Sequence, residues 1–334
     1  MSHTSDPGES TAPPRLLRWE TLTKRAFDEL DPARCTVLVT CSPLEVHGPH
    51  LPLGADALEG AGLAERVLHF LPSPHRERTF LKLPFVYAGT DVVPQRGSLW
   101  FRPSTVVRML EDLGGTLAAQ GFRDVWVSNF HGGPRHFLAL ERACDRVSRR
   151  RGVRMVSLFS VMIARLTNGT SNLEDVLGAL PGVDRGDLVG DTHGGLVETS
   201  QLLALHGGWV DPVYKELPRQ TVDTWVAERG ERPPRSGRGD PRRFVEMLRA
   251  FRAGLAFFGE RTYAGAPAGA SAELGERFLD ALAERTAQAC TDVLEGRLAP
   301  DRAHSPLWPF RFVFLNPAMI RIADRLLGFR NGIA

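Results

Sequence analysis

Residues 36–56 read TVLVTCSPLEVHGPHLPLGAD. The stretch opens on a short β-branched, apolar run at 36–41, of the kind that fills a central strand covered on both faces. It closes on Asp56, where an Ala-, Leu- and Glu-rich helical segment begins and runs to about residue 70. Between the two lie Glu45, His47, His50 and Asp56, the densest concentration of metal-capable side chains in the chain. In an open α/β sheet, ligands gather at the carboxyl ends of the strands. If this loop is half of a metal site, the missing ligands must stand at the ends of later strands.

Working outward, strand and helix patterns alternate, which predicts an α/β fold on a mainly parallel sheet. A second strand is expected near 81–87. Residues 105–120 have helical periodicity, with Val106, Met109, Leu110, Leu113 and Leu117 on one face and Gly121 as a stop. A strand at 124–128 runs into Asn129-Phe130-His131-Gly132-Gly133. A helix at 135–150 ends in arginines, and 153–159 reads as another strand. Residues 166–192 read as a long loop ending in Gly190-Asp191-Thr192-His193-Gly194-Gly195. A helix beginning near 196 carries Glu198, Thr199 and Ser200 in its first turn. The Pro/Gly/Arg-rich run 228–242 reads as a surface loop, and the last regular helix as 271–298.

The chain has 334 residues, 43% hydrophobic and 24% charged, enough for one large α/β domain with a sizeable core. A formal charge of +2 is too small to argue for nucleic acid or an acidic membrane surface. Cys35, Cys41, Cys144 and Cys290 form no CxxC pair and read as buried, reduced thiols of a cytoplasmic protein. Residues 1–14 are polar and Pro/Ser-rich, expected to be a disordered tail rather than an export signal. No run reaches the ~18 apolar residues of a membrane span.

Glu45 and His47 stand two apart, so an extended backbone points both side chains the same way. Carboxylates with imidazoles suit Zn, Mn or Fe(II), and the absence of thiolates argues against a Cys-type structural zinc site. Each residue also has a plainer reading. Asp56 would serve as the N-cap of its helix, His50 as a donor to a carbonyl, His131 as a turn residue and Glu198 as a favourable acid in a first helical turn. All of these together at strand ends and helix starts would be a coincidence.

The chain resembles the creatininase family (creatinine amidohydrolase and its relatives). The family signature E-x-H-G-x-H-L-P-L-G-x-D is present at every fixed position from Glu45 to Asp56. A second block, N-G-H-G-G-N, corresponds to residues 129–134. A third, G-D-x-H-A/G-G-x-x-E-T-S, is intact from Gly190 to Ser200, and a weaker block matches Gly265, Pro267, Ala270, Ser271, Ala272, Glu273 and Gly275. The resemblance spans roughly 17–295. It implies a three-layer α/β/α sandwich, a single domain over 15–298, and a two-metal site (Zn, Mn or Fe) that cleaves C–N bonds with a metal-activated water. By position, Glu45 and His131 would bind one ion and His47 the other, with Asp56 bridging. The carboxylate ligand that creatininase itself has in the second block falls at Gly133, so Glu198 would fill the gap or orient the water. His193 matches an active-site histidine and would protonate the leaving nitrogen. Implied substrates are a small amide, lactam or formamide, or a peptide bond in a biosynthetic peptide, acted on by a homo-oligomer. The alternative is a metal-binding but catalytically idle scaffold subunit.

Two positions depart from the second block. Phe130 replaces a glycine and puts a bulky ring beside His131, and Pro134 replaces an asparagine and removes an N–H donor. Residues 299–334 extend beyond the family core. Trp308, Phe310, Phe312 and Phe314 alternate as in an extended arm. Met319, Ile322, Ala323, Leu326 and Leu327 mark one face of a short helix, and the segment is expected to make a subunit contact.

Overall fold

The apolar run at 36–41 lies in the central strand of a six-stranded sheet in the computed structural model, which describes residues 13–168, 173–233 and 243–327. The strands are β1 (Arg15–Arg18), β2 (Cys35–Ser42), β3 (Thr79–Lys82), β4 (Val86–Tyr87), β5 (Asp124–Ser128) and β6 (Arg154–Ser157). Their order is β1-β3-β2-β5-β6, with β4 beside the end of β2, and every pairing is parallel. From β2 the chain goes to one side for β3 and to the other for β5. That reversal opens a crevice beyond the carboxyl end of β2.

Alternation along the strands sorts the core into two layers. Leu38, Phe80, Trp126 and Val156 face one way, and Val37, Val39, Leu81, Val125 and Val127 the other. Over the first face pack α1 (Ala55–His69), α4 (Leu158–Asn168), α5 (Leu196–His206) and α8 (Ala272–Leu294). Over the second pack α2 (Pro103–Ala119) and α3 (Pro134–Arg151). This is the expected three-layer single domain. Two further helices, α6 (Val222–Glu228) and α7 (Arg243–Glu260), carry Trp225, Val226 and Phe257, which form a separate small cluster with Ala264 beyond α7. All four cysteines are buried and free. No helix among the described residues is long and apolar enough to cross a membrane.

Several expectations are corrected. The strand read at 153–159 ends at Ser157 and turns directly into α4, because Leu158, Val161, Met162 and Leu166 recur at helical spacing inside one apolar run. The loop read at 166–192 contains short helices at Leu173–Leu177 and Arg185–Leu188. The helix read at 271–298 stops at Leu294, with Gly296 at φ 76° just beyond. Neither β1 nor α7 was anticipated. The tail at 1–12 and most of the loop at 228–242 lie outside the described residues.

The aromatic run near residue 310 is not extended either. It forms a 3-10 turn at Trp308–Phe310 and a helix at Arg311–Leu315, followed by α9 (Pro317–Leu327). Trp308 stacks on His304 (ring centroids 3.8 Å apart), and Phe314 and Leu315 pack half-buried against the core. Met319 and Ile322, expected on the apolar face of α9, are exposed. What turns inward from α9 is Asp324, paired with Arg135 at the start of α3. This extension therefore packs on its own chain.

Candidate metal centre

Three loops at one end of the sheet bring the polar residues together. After β2, the Glu45 N–H donates to the Leu53 carbonyl (2.8 Å), folding the loop back on itself. Asp56, the second residue of α1, thereby returns to the side of Glu45 and His47. It caps nothing: the N-cap position of α1 is Gly54, with no side-chain cap. After β5, the Ser42 hydroxyl donates to Asn129 Oδ1 (2.8 Å). The Asn129 amide also bonds both main-chain groups of His131 (3.0 and 2.9 Å), fixing where that imidazole points. Before α5, Asp191 accepts the N–H groups of Leu196 and Val197 (2.7 and 2.9 Å), and Glu198 folds back to accept the Gly194 N–H.

The two departures in the second block leave the centre clear. Phe130 turns away from His131 into the core and meets Phe159 edge-on, with ring centroids 6.1 Å apart. Pro134 occupies the first turn of α3, where its missing N–H has no helical partner to lose.

Two triplets of ligand-type atoms share Asp56. On one side His131 Nδ1 lies 2.8 Å from Glu45 Oε2 and 3.5 Å from Asp56 Oδ2. On the other, His47 Nε2 lies 3.3 Å from Asp56 Oδ1 and 3.7 Å from Glu198 Oε2. Glu45, His47 and His193 form a third, overlapping group. Each imidazole spends its other nitrogen as a donor to a main-chain carbonyl: His47 Nδ1 to Glu45 (3.1 Å), His131 Nε2 to Thr90 (3.0 Å), His193 Nε2 to Val46 (2.7 Å). That fixes the tautomers and aims a lone pair from each ring inward, as ligating histidines are held. His50 stands apart, bonded through Nε2 to the Thr199 hydroxyl (2.8 Å). Burial holds it near pKa 4 and neutral.

The charges are unbalanced in a way that suits cations. Both carboxylate oxygens of Asp56, with Glu45 Oε2 and His47 Nε2, are buried without a hydrogen-bond partner. Burial would lower the pKa of His131, but Glu45 and Asp56 outweigh it and lift it to about 9. Burial likewise opposes a charge on His47, yet Asp56, Glu198 and Glu45 raise it well above its ordinary value. The Glu198 carboxyl is pushed up to about 7 by burial and by Asp56, although His47 pulls it down. His193 falls to about 3, through burial and the neighbouring His47. The donor set and the orphaned oxygens fit divalent metal ions.

The cleft over these residues has a volume of about 210 Å³ and is also lined by Asp91, Gly133 and Phe258. Asp91 stands in the left-handed region (φ 63°), and its Oδ2 accepts the Arg135 N–H at 2.6 Å. A Cβ on Gly133 would overlap the His131 ring and come within 2.7 Å of the Asp91 Cβ. Position 133 is thus too crowded for any side chain while His131 stays where it is. Asp91, Arg135 and Asp324 were missed in the sequence. Asp91 gave only the faint signal of an acid in a strand-end loop, and Asp324 gave none.

The profile of the family described as Creatininase: Creatinine amidohydrolase matches residues 20–290. Among curated proteins, none matches the chain. Of solved structures, one described as Creatininase Mn has 20% identity, a TM-score of 0.54, and covers 83% of this chain and 98% of its own. A putative creatinine amidohydrolase from Bacteroides fragilis has 18% identity, a TM-score of 0.53, and covers 83% of this chain and 96% of its own. A mutant creatininase of Zn-Zn type has 18% identity, a TM-score of 0.54, and covers 82% and 97%. At these identities the structural likeness carries the fold.

Proposed function

The chain belongs to the creatininase family, and from that footing we propose that it is a metal-dependent amidohydrolase cleaving a C–N bond of a small amide, lactam or formamide, or of a peptide. The observation that carries the reading is Asp56, whose two buried, unpartnered oxygens face different imidazoles. In this reading Glu45 and His131 hold one divalent cation, His47 and Glu198 the other, and Asp56 lies between. The creatininase structures described as Mn and Zn-Zn forms support divalent metal use, and the donors suit Zn, Mn or Fe alike. When bound, such ions polarise the scissile carbonyl and bring the pKa of the attacking water toward neutrality.

The protein's own part is proton handling. His193 is neutral at rest and its Nε2–H is committed to Val46, so it enters the reaction as an acceptor through Nδ1. It takes the proton that water loses on attacking the carbonyl carbon. It then passes that proton to the nitrogen as the C–N bond breaks, a transfer worth about 10²–10⁴-fold. The Val46 carbonyl steadies the imidazolium between the two steps. The idle-scaffold alternative rested on Phe130 and Pro134, and neither intrudes on the cleft.

Elemental analysis and a panel of amides, lactams, formamides and short peptides test this reading. About two metal equivalents with turnover on one class are expected. Metal without any turnover would favour the scaffold, and no retained metal would sink both. Metal affinity should also depend steeply on pH. Protons on His47 and His131, whose pKa values are raised, compete with the ions. Affinity should therefore climb between pH 6 and 8, by roughly tenfold per unit for each proton displaced. A flat chelator-competition profile would contradict the assignment. Gly133→Ala should push His131 aside and lower metal affinity by roughly 10–100-fold while the fold persists; unchanged binding would remove His131 from the ligand set.

A further inference from the structure

Beside the metal-capable cleft, and sharing Asp91, Gly133, Leu255 and Phe258 with it, lies a second chamber of about 440 Å³. That volume is within the range of pockets that hold small molecules, roughly 300–1,000 Å³. Its wall on α7 is apolar, with Phe251, Leu255 and Phe258 in it, and Pro134 adds to the lining. The Phe251 ring is 39% exposed, apolar surface that gains by being covered. The charged residues of the lining are engaged with one another. The Arg135 guanidinium donates to Asp324 Oδ1 and lies 3.5 Å from Asp91 Oδ1, while Asp91 Oδ2 accepts the Arg135 N–H. The other oxygen of Asp324 is sealed inside the protein. A polar or charged group entering here would give up water for an apolar wall, which is costly, whereas an apolar group gains by leaving water. Phe258 links the chamber to the centre: it lines both spaces, and its ring meets the His193 imidazole edge-on with centroids 5.2 Å apart.

We propose that this chamber receives an uncharged, apolar side group of the substrate, a linear alkyl chain or an aryl ring, while the scissile amide lies at Glu45, Asp56 and His131. The four shared lining residues make the two spaces neighbours that one molecule can span. Phe251, Leu255 and Phe258 then determine specificity by the apolar surface they bury against the substrate. The inference names the substrate class for the amidohydrolase reading and rests on it, but its central test requires no turnover.

Binding of 1-butanol, 1-pentanol, 1-hexanol and 1,6-hexanediol to the full-length protein is measured by calorimetry, before and after chelator treatment. Affinity should rise about fourfold with each methylene added, and chelation should leave that slope unchanged. The diol, which cannot enter without placing a hydroxyl in the chamber, should bind about tenfold or more weakly than 1-hexanol. Gly254 lies on the chamber wall with open space where a Cβ would stand, and leucine is the better helix former. Gly254→Leu should therefore flatten the series and weaken 1-hexanol by about tenfold or more. 1-Hexanol should also raise KM and leave kcat alone for whichever amide is turned over. A flat wild-type series, a diol that matches 1-hexanol, a slope that disappears with chelator, a folded Gly254→Leu that binds as wild type, or inhibition through kcat alone would each overturn the proposal. Should Gly254→Leu not fold, the wild-type series and the diol decide it. Failure of metal retention or hydrolysis, with the alkanol series as expected, counts against the amidohydrolase reading and not against the chamber.

Discussion

Asp56→Ala is expected to empty the metal centre and lower kcat/KM by about a thousandfold or more, the several kcal/mol that Lewis-acid assistance supplies. Asp56 belongs to both triplets: one oxygen faces His47 and the other faces His131. Stability should move differently. In the metal-free protein the buried carboxylate also faces the protonated His47 and His131, so alanine removes a desolvation cost and a favourable pairing together. These opposing effects should leave the metal-free melting temperature close to wild type while activity collapses, the separation typical of a residue kept for function. A residue serving only as a helix cap would give the opposite pattern, a loss of about 1 kcal/mol of stability with activity intact. Elemental analysis, thermal melting and steady-state rates on the one variant separate the two.

Gly275→Ala should cost at least about 3 kcal/mol, at the upper end of overpacking effects. Gly275 lies near the start of α8, where its Cα faces the main chain of α5. A Cβ there would overlap the Ser200 carbonyl and approach the Gln201 nitrogen at 2.9 Å. Backbone cannot rotate away as a side chain can, so the helices must part. In a protein of this size that corresponds to a fall of about 4 °C or more in melting temperature. Ser200 lies two residues along α5 from the acid at 198, so metal affinity should weaken alongside. Gly115, in α2 with nothing near its Cβ position, is the control. Gly115→Ala should be neutral or stabilising by up to about 1 kcal/mol. A melting temperature for Gly275→Ala within 1 °C of wild type, roughly 0.7 kcal/mol, would mean α8 has more freedom than this packing allows.

What was legible in the sequence was what is local and chemically distinctive. The apolar run in β2, the helix after it and the acids and imidazoles of three loops each declare themselves within a dozen residues, and the fold brings those loops to one sheet end. What was not legible depends on distance along the chain. Arg135 and Asp324 are 189 positions apart, and either alone looks like an ordinary surface charge. Phe130 was misjudged because a sequence gives residue type and not direction, and its ring found space beside Phe159. The aromatics at 308–314 misled for a related reason. An every-second-residue pattern in so short a run fits a strand, yet the helical turn Arg311–Leu315 also places Phe314 and Leu315 on the core.

The residues around the centre differ sharply in what surrounds them. Glu45 stands in the loop just after the central strand, and Asp56 on a helix whose next residues, Ala57 and Leu58, are core. The chamber wall is the outer helix α7, with Phe251 in part exposed, and the extension that carries Asp324. The centre and the chamber beside it thus rest on parts of unequal tolerance to change. A library confined to Ala250, Phe251 and Gly254 alters the chamber without touching the inner residues. The outer wall can be refitted while the inner one stays, as interchangeable jaws refit a single vice.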